Sequence, residues 1–300
     1  MVVDLLNRYG WGQAVVEVPV DCFEFELALA PTPSQVIVKT WLPLDGTAKE
    51  PRRHLEEGLR HLQQVRTDVQ ASAHKVAEAD WLEAWKQQYH LLRVGERIVI
   101  VPAWEEHVPA PGEAVICLEP GMAFGTGLHP TTRLCLEALE AHLLADCTVL
   151  DVGTGSGVLS IAAAKLGARS VLALDADPVA VKVARENVER NRVVDRVRVR
   201  HASLPGDTIG GLLARFGVDH DLDMVDSGSY DLVLINILAP VIAGMAQALS
   251  ERMAPDGRLI AAGLVQSQEG DVEAALQAQG LRILGRSQEE DWVSLVARRG

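Results

Sequence analysis

The residues of this sequence best suited to binding chemistry form a glycine-rich run at positions 151–157, Asp-Val-Gly-Thr-Gly-Ser-Gly. Glycines at alternate positions leave no side chain between the backbone and a ligand, so a small molecule can approach the loop within contact distance. The run follows a predicted strand, 148–152, and precedes a predicted helix, 159–166, whose first N–H groups are free to donate. This order of strand, loop and helix predicts a ligand-binding loop.

A second acid, Asp175, ends the next predicted strand, 22 residues after Gly153. A carboxylate in this place can accept hydrogen bonds from both hydroxyls of a ribose. The dinucleotide fingerprint G-x-G-x-x-G/A fails in both registers, because Val158 and Ser160 occupy its sixth position. The run is instead similar to the G-x-G-x-G loop of S-adenosylmethionine-dependent methyltransferases, whose cofactor carries a ribose but no pyrophosphate. A nicotinamide enzyme and a glycine-rich turn without a ligand are the alternatives.

The segment from Glu119 to Thr132 carries three more glycines upstream of the loop. It is not a P-loop, since no Gly-Lys-Ser/Thr follows at the required spacing. Pro130 and the two threonines after it predict a helix start, whose free N–H groups and Thr132 hydroxyl would suit the carboxylate of the cofactor's methionine. The alternative is a capped loop without a ligand. His129 could act as a base, although a histidine that caps the loop is favoured.

Asn236 ends the predicted strand 232–235, which we expect beside the strand of the glycine loop. Its amide would lie between the cofactor and the methyl acceptor, whereas the alternative is a turn residue that closes the strand. Enzymes that methylate planar amides and nucleobase amines carry Pro-Pro-Tyr after such an Asn, but here Ile, Leu and Ala follow. The acceptor is therefore predicted not to be a stacked planar group.

The elements that must position these residues alternate between strands and helices from residue 130 onward. Such alternation predicts an α/β fold with a doubly wound, Rossmann-like methyltransferase sheet that is mostly parallel and has an antiparallel end. The predicted strands are 148–152, 170–174, 197–201, 232–235, 258–262, 281–284 and 293–297, and the predicted helices are 134–144, 159–166 and 178–190, the last capped by Asp177.

The N-terminal part of the chain has a different pattern. Strand-like runs at 14–20 and 35–42 and an amphipathic helix at 51–65 predict a small α+β domain over residues 1–75. Residues 76–118 contain a short strand, 98–101, and then several prolines, and we interpret this segment as a linker. The methyltransferase domain is predicted to occupy residues 119–300.

Composition and charge limit the partners and the compartment. The chain has 28 Lys and Arg against 41 Asp and Glu, a net charge of −13, which argues against direct nucleic-acid binding and favours a basic partner. Four cysteines without a CxxC pair, together with the lack of a signal peptide, predict a cytoplasmic chain without a metal site. Polar and proline residues interrupt the charge-free stretch 232–250, so we predict a buried strand and helix there rather than a membrane span.

These segments together resemble one family, PrmA, the bacterial methyltransferases of large-subunit ribosomal protein eleven. The resemblance implies that Thr132, Gly153, Asp175 and Asn236 hold S-adenosyl-L-methionine, that Gly155 completes the loop, and that a small N-terminal domain recognises the substrate. Residues 1–75 match the family only loosely, and the Asp-rich residues 204–229 resemble an inserted, solvated acidic loop. The likeness covers roughly residues 80–300, on Trp81 to Trp85, Glu119 to Thr132, 151–157, Asp175 with Asp177-Pro178, and Asn236 to Ala239.

The family methylates lysine side chains and an N-terminal amine by in-line displacement at the sulfonium methyl, which sets the expected mechanism. Removing the proton of a free lysine at pH 7 costs about 4.6 kcal/mol. Desolvation beside the cationic sulfonium lowers this cost, and alignment of the amine with the methyl carbon lowers the barrier further. Asn236 is expected to orient the amine and the cofactor without taking the proton.

The sequence is compatible with three functions. The first is a monomeric lysine methyltransferase of a ribosomal protein. The second is a methyltransferase of the same fold that acts on another protein or a small molecule. The third is a non-catalytic cofactor-binding or interaction protein, which the intact loop and Asn236 argue against.

Overall fold

The computed structural model of the chain describes residues 11–17, 37–41, 52–53, 55–60, 90–119, 125, 127–204 and 228–300. The chain divides into two compact units, Met1–Trp81 and Leu82–Gly300. In the first unit, β1 (Trp11–Glu17) and β2 (Ile37–Trp41) pair in antiparallel fashion, and residues 52–53 and 55–60 are helical. The Trp81 to Trp85 segment and residues 205–227 of the predicted acidic loop lie outside the described residues.

The second unit begins with a three-stranded sheet within the segment that we interpreted as a linker. Its strands are β3 (Leu92–Val94), β4 (Ile98–Pro102) and β5 (Ala114–Leu118), with β3 antiparallel and β5 parallel to β4. All five residues of β4 are buried, as expected for a central strand. The prolines that suggested a linker end β4 or lie in the connection to β5, where a proline removes no ladder hydrogen bond.

A seven-stranded sheet forms the centre of the second unit, in the order β11-β12-β10-β9-β6-β7-β8. Neighbours from β10 to β8 are parallel, whereas β12 is antiparallel to both β10 and β11. This confirms the predicted methyltransferase sheet with its antiparallel end. The strands are β6 (Thr148–Val152), β7 (Ser170–Asp175), β8 (Val197–His201), β9 (Tyr230–Asn236), β10 (Met253–Val265), β11 (Leu281–Glu289) and β12 (Trp292–Arg299).

Helices cover both faces of this sheet. The three helices that come first along the chain pack in one hydrophobic core together with the three-stranded sheet. The two helices that come last pack in a second core on the opposite face of the seven-stranded sheet. The chain goes from β6 to β7 on one side and later returns to β9 on the other, so the topological switch point, where such sheets bind ligands, lies between β6 and β9. The helices are α1 (Pro130–His142), α2 (Val158–Leu166), α3 (Pro178–Arg190), α4 (Ala239–Glu251) and α5 (Glu269–Ala278), the last preceded by a 3-10 turn (Gln266–Gln268).

Buried asparagine side chains join the three-stranded sheet to the helices beneath it. The amide of Asn191 accepts a hydrogen bond from the Cys117 N–H (2.8 Å) and donates one to the Cys117 carbonyl (2.6 Å). The Asn187 Oδ1 accepts the Glu119 N–H at 3.2 Å. These bonds fix the end of β5 against α3, so the segment that leads toward the glycine loop starts from a defined point.

No helix in the described part of the chain is both long and apolar enough to cross a membrane. The charge-free stretch 232–250 forms β9 and α4, as predicted. Within the same described residues, no group of three or more His, Cys, Asp or Glu side chains could hold a metal ion.

Candidate active site

The glycine loop leaves β6 at the carboxyl edge of the sheet, and its shape depends on all three glycines. Gly153, Gly155 and Gly157 have φ of +74°, +56° and +84°, which is the left-handed region that favours glycine. A Cβ on Gly153 would also lie 2.5 Å from the Ile237 Cγ2. Both conformation and space therefore exclude a side chain at Gly153, and the loop presents its backbone.

A buried carboxyl supports the loop from below. The Thr154 Oγ1 and the Ser160 Oγ donate to Asp151 Oδ2 at 2.7 and 2.6 Å. Burial raises the pKa of Asp151 to about 6, because the folded environment disfavours its charged form. Asp151 thus ties the start of the loop to α2.

Asp175, the last residue of β7, holds the loop from the side. Its Oδ2 accepts the Gly155 N–H at 2.8 Å, and its Oδ1 accepts the Asp177 N–H at 2.9 Å. A carboxylate is an acceptor of the kind that ribose hydroxyls donate to. Asp177 in turn caps α3 through the Val179 N–H, as predicted.

Thr132 and Asn236 each carry a buried polar atom that no described residue contacts by a hydrogen bond. No hydrogen bond reaches Thr132 Oγ1 or Asn236 Oδ1 from any of the residues that the structure describes. Asp151 Oδ1 and Ser294 Oγ also have no partner among the described residues. A buried polar group left without a partner costs about 1–3 kcal/mol, so such atoms at the carboxyl edge of the sheet, where these folds bind ligands, are candidates for contacts with a ligand. Asn236 ends β9 across the switch point, and Thr132 lies in the first turn of α1 at the same edge of the sheet.

The start of α1 differs from expectation in one respect. The Thr131 N–H donates to the His129 Nδ1 (3.2 Å), and the Thr132 N–H donates to the His129 carbonyl (3.0 Å). The sequence predicts that these N–H groups bind the carboxylate of the cofactor's methionine, but they donate to the capping residue His129 instead. At this helix start, the Thr132 hydroxyl is the group left without a hydrogen-bond partner among the described residues.

His129 caps α1, as the sequence favoured, and its side chain is buried next to the start of β12. Its ring meets that of Trp292, the first residue of β12, edge to face with centroids 4.6 Å apart. Burial lowers the pKa of His129 to about 4, with a further contribution from nearby Arg133. The imidazole is therefore neutral at pH 7, and Arg133 itself pairs with Glu289 beside the β11–β12 turn.

Two residues that the sequence analysis missed hold the upstream segment to the loop. The Ser156 Oγ donates to the Gly125 carbonyl at 2.7 Å, and the Asn187 Nδ2 donates to the Ser156 carbonyl at 2.9 Å. Residues 120–124 and 126 lie outside the described part of the chain. An asparagine on the buried face of amphipathic α3 was the available signal for Asn187.

The residues present fit S-adenosylmethionine. The glycine loop gives the close backbone approach, Asp175 gives acceptors for a ribose, and Thr132 and Asn236 give the unpartnered polar atoms that its amino-acid part would satisfy. All five residues predicted to hold the cofactor thus lie at the carboxyl edge of the sheet.

Comparison with known proteins agrees with this geometry. A family model described as "Ribosomal protein L11 methyltransferase (PrmA)" matches residues 4–300. Proteins named ribosomal protein L11 methyltransferase are 46% identical in Chloroflexus aurantiacus (99% of this chain and 93% of the relative) and 40% identical in Pelotomaculum thermopropionicum (99% and 94%).

A solved structure has the same fold. The crystal structure of the ribosomal protein L11 methylase of Lactobacillus delbrueckii subsp. bulgaricus superimposes with a TM-score of 0.60 at 34% identity, and the match covers 70% of this chain and 99% of that one. The matches extend across both units of the chain, including the N-terminal residues whose likeness looked loose from the sequence. The chain therefore belongs to the ribosomal protein L11 methyltransferase (PrmA) family and is an S-adenosylmethionine-dependent methyltransferase.

Proposed function

We propose that this protein transfers methyl groups from S-adenosylmethionine to lysine amines, and to the N-terminal amine, of ribosomal protein L11. The observation that carries the proposal is that two buried atoms at the carboxyl edge of the sheet, Thr132 Oγ1 and Asn236 Oδ1, have no hydrogen-bond partner among the described residues. Membership of the family supplies the acceptor, because the relatives are named for L11.

Each site residue has a distinct part in holding the cofactor. Gly153 and Gly155 let the backbone approach it, Asp175 accepts hydrogen bonds from its ribose, and the Thr132 hydroxyl meets its methionine end. When bound, the cofactor supplies a methyl group on a positively charged sulfur. The role of the protein is then to bring an uncharged amine into line with that methyl group.

Asn236 orients both the cofactor and the amine, and it does not remove the proton of the amine. An amide oxygen accepts a hydrogen bond from an amine N–H but is far too weak a base to deprotonate an ammonium. Asn236 Oδ1 therefore sets the orientation of the amine. His129 is unsuited to the role of base, since its Nδ1 already lies 2.7 Å from the Thr131 Oγ1 and burial lowers its pKa to about 4. The lysine ammonium gives its proton to water as it enters the site, because desolvation disfavours the charged lysine.

The two units divide the work. We assign substrate recognition to the N-terminal domain, residues 1–75, and the chemistry to the part of the second unit that carries the seven-stranded sheet. The net charge of −13 favours capture of a basic protein such as free L11 in the cytoplasm, where the enzyme acts as a monomer. If so, the affinity for L11 falls as the salt concentration rises.

The experiment is incubation of the enzyme with S-adenosylmethionine and purified ribosomal proteins, followed by intact-mass spectrometry. L11 alone should gain mass in whole methyl groups, and peptide mapping should place them on lysines and the N-terminus. Methylation of a different protein would replace L11 as the substrate. No mass gain on any ribosomal protein, from an enzyme shown to bind the cofactor, would point to a small-molecule acceptor instead.

A further inference from the structure

Ile237, the residue after Asn236, lies between two glycines, Gly153 in the glycine loop and Gly263 in β10. A Cβ on Gly153 would lie 2.5 Å from the Ile237 side chain at Cγ2. A Cβ on Gly263 in β10 would lie 2.8 Å from the Ile237 carbonyl carbon and 3.0 Å from its nitrogen, and closer still to its carbonyl oxygen. The chain that leaves Asn236 thus occupies the space of two missing side chains.

Gly263 occupies this position because β10 bulges there. Ala262 pairs with Asn236 on the β9 side, but on the β12 side the register shifts, so that Ala262 and Gly263 both lie opposite Ser294. Two residues opposite one define a β-bulge, a feature that redirects the chain near functional sites. Gly263 has φ of +88°, in the left-handed region that favours glycine.

We propose that Gly263 is a positioning residue for methyl transfer. Because Gly263 has no side chain, the main chain of Ile237 can pack directly against it. This packing, together with the contact of Ile237 with Gly153, fixes the position of the Asn236 amide relative to the glycine loop. Gly263 acts through Asn236 and touches neither the cofactor nor the amine. The inference rests on the role of Asn236 in the proposed function.

The competing explanation is that the bulge merely needs glycine for its backbone. Gly280 provides the matched control, because its φ is +76° and no atom of the described residues outside its own stretch of chain lies within 4 Å of the place its Cβ would take. Gly280→Ala therefore introduces the same kind of backbone strain without a contact. Gly280 precedes β11 at the amino edge of the sheet, since β11 runs parallel to β10.

The test compares Gly263→Ala, Gly280→Ala, Asn236→Ala and the double variant Gly263→Ala/Asn236→Ala. For each, unfolding without cofactor, the affinity for S-adenosylhomocysteine by calorimetry, and kcat for L11 methylation are measured. A displaced Asn236 should weaken binding about tenfold, equivalent to 1.4 kcal/mol, and lower kcat. We expect this for Gly263→Ala but not for Gly280→Ala, and the double variant should lose no more than Asn236→Ala alone.

Each result has a separate meaning. If Asn236→Ala binds and transfers like the natural protein, the proposed role of Asn236 fails. If Asn236→Ala is impaired but Gly263→Ala behaves like Gly280→Ala, or if the losses in the double variant add, only the role of Gly263 fails.

Ile237→Ala keeps the test open if Gly263→Ala does not fold. It removes the Cγ2 that lies against Gly153 and leaves the main chain at Gly263 untouched. The positioning account expects weaker binding of S-adenosylhomocysteine and a lower kcat. Unchanged binding and turnover in Ile237→Ala would overturn it.

Discussion

The two edges of the seven-stranded sheet use polar side chains in opposite ways. At the amino edge, Asp231 Oδ2 accepts both the N–H and the hydroxyl of Thr148 at 2.8 Å. Glu140, near the end of α1, accepts the N–H groups of Glu96 and Arg97 at 2.7 and 2.8 Å. At the carboxyl edge, buried atoms of Thr132 and Asn236 have no partner among the described residues.

The contrast separates structural polar groups from functional ones within one sheet. Hydrogen bonds at the amino edge tie neighbouring strands and turns together, so those groups contribute to stability. The open atoms at the carboxyl edge cost stability in the free enzyme, which is expected where a ligand completes the hydrogen bonding. Substitutions at the two edges should therefore change different quantities.

The largest effect is expected from Asn236→Ala. Loss of the group that orients the amine should reduce methyl transfer to L11 about 100-fold, since misalignment of this kind carries costs of that order. The unfolding free energy should change little, because Asn236 Oδ1 has no partner to lose in the described residues. Single-turnover methylation with labelled cofactor measures the first quantity and urea unfolding the second; a marked loss of stability would contradict the assignment.

Asp175→Asn should lower cofactor affinity about 10- to 100-fold. In the natural protein the Asp175 carboxylate accepts the N–H groups of Gly155 and Asp177. The substitution removes the charge of the acceptor and places an NH2 group opposite one of these two N–H donors. Calorimetric titration with S-adenosylhomocysteine tests this. The matched control is Asp256→Asn at the amino edge, where the carboxylate is exposed and should not affect binding.

Thr132→Val should weaken cofactor binding about fivefold, within the range of a single neutral hydrogen bond. The same substitution should leave stability unchanged or raise it, because it replaces an unpartnered buried hydroxyl with a methyl group of similar size. Binding and unfolding measured on one preparation decide the point. Lower stability with unchanged affinity would assign Thr132 to the structure rather than to the site.

Asp231→Asn reverses the comparison at the amino edge. It should lower the unfolding free energy by about 1 kcal/mol or less and leave cofactor affinity as it is, since the hydrogen bonds that its carboxylate makes to described residues run to Thr148 across the strand pair. Those bonds lower the pKa of Asp231, so its contribution is present above the unfolded pKa and is lost as the pH falls through the folded pKa. The variant should therefore differ less from the natural protein in acid than at pH 7.

The smallest effect concerns His129. Its pKa is lowered to about 4 in the folded state, against an ordinary value of 6.5, so its contribution to stability is complete above pH 6.5. As the pH falls from 6.5 toward 4, the unfolded chain takes up a proton that the folded one excludes, and stability decreases. His129→Gln should reduce this decrease by about 1 kcal/mol between pH 7 and pH 5. Parallel curves for both proteins would contradict this.

Local signals made most of the fold predictable. The helix at 178–190 has an Asp cap, a first-turn proline and an apolar stripe, and its predicted bounds match α3. Strand β3 has three residues and β5 follows a proline-rich connection, so neither gave a periodic signal. Helix α5 begins from a 3-10 turn without a side-chain cap, and the sequence analysis did not find it.

The site divides in the same way. The glycine loop, Asp175 and Asn236 follow strands directly, so their spacing along the chain carries their placement. The contacts of Ser156 with Gly125, His129 with Trp292 and Gly263 with Ile237 depend on which strands are neighbours and on a register shift in β10. No local pattern encodes such contacts, and the sheet order supplied them.

The central claim is that the open polar atoms at the carboxyl edge hold the cofactor, and a crystal structure with S-adenosylhomocysteine tests it most directly. We predict Thr132 Oγ1 and Asn236 Oδ1 within hydrogen-bond distance of the ligand, with both ribose hydroxyls on Asp175. A ligand that leaves both atoms without a partner, or that binds away from the glycine loop, would contradict the account.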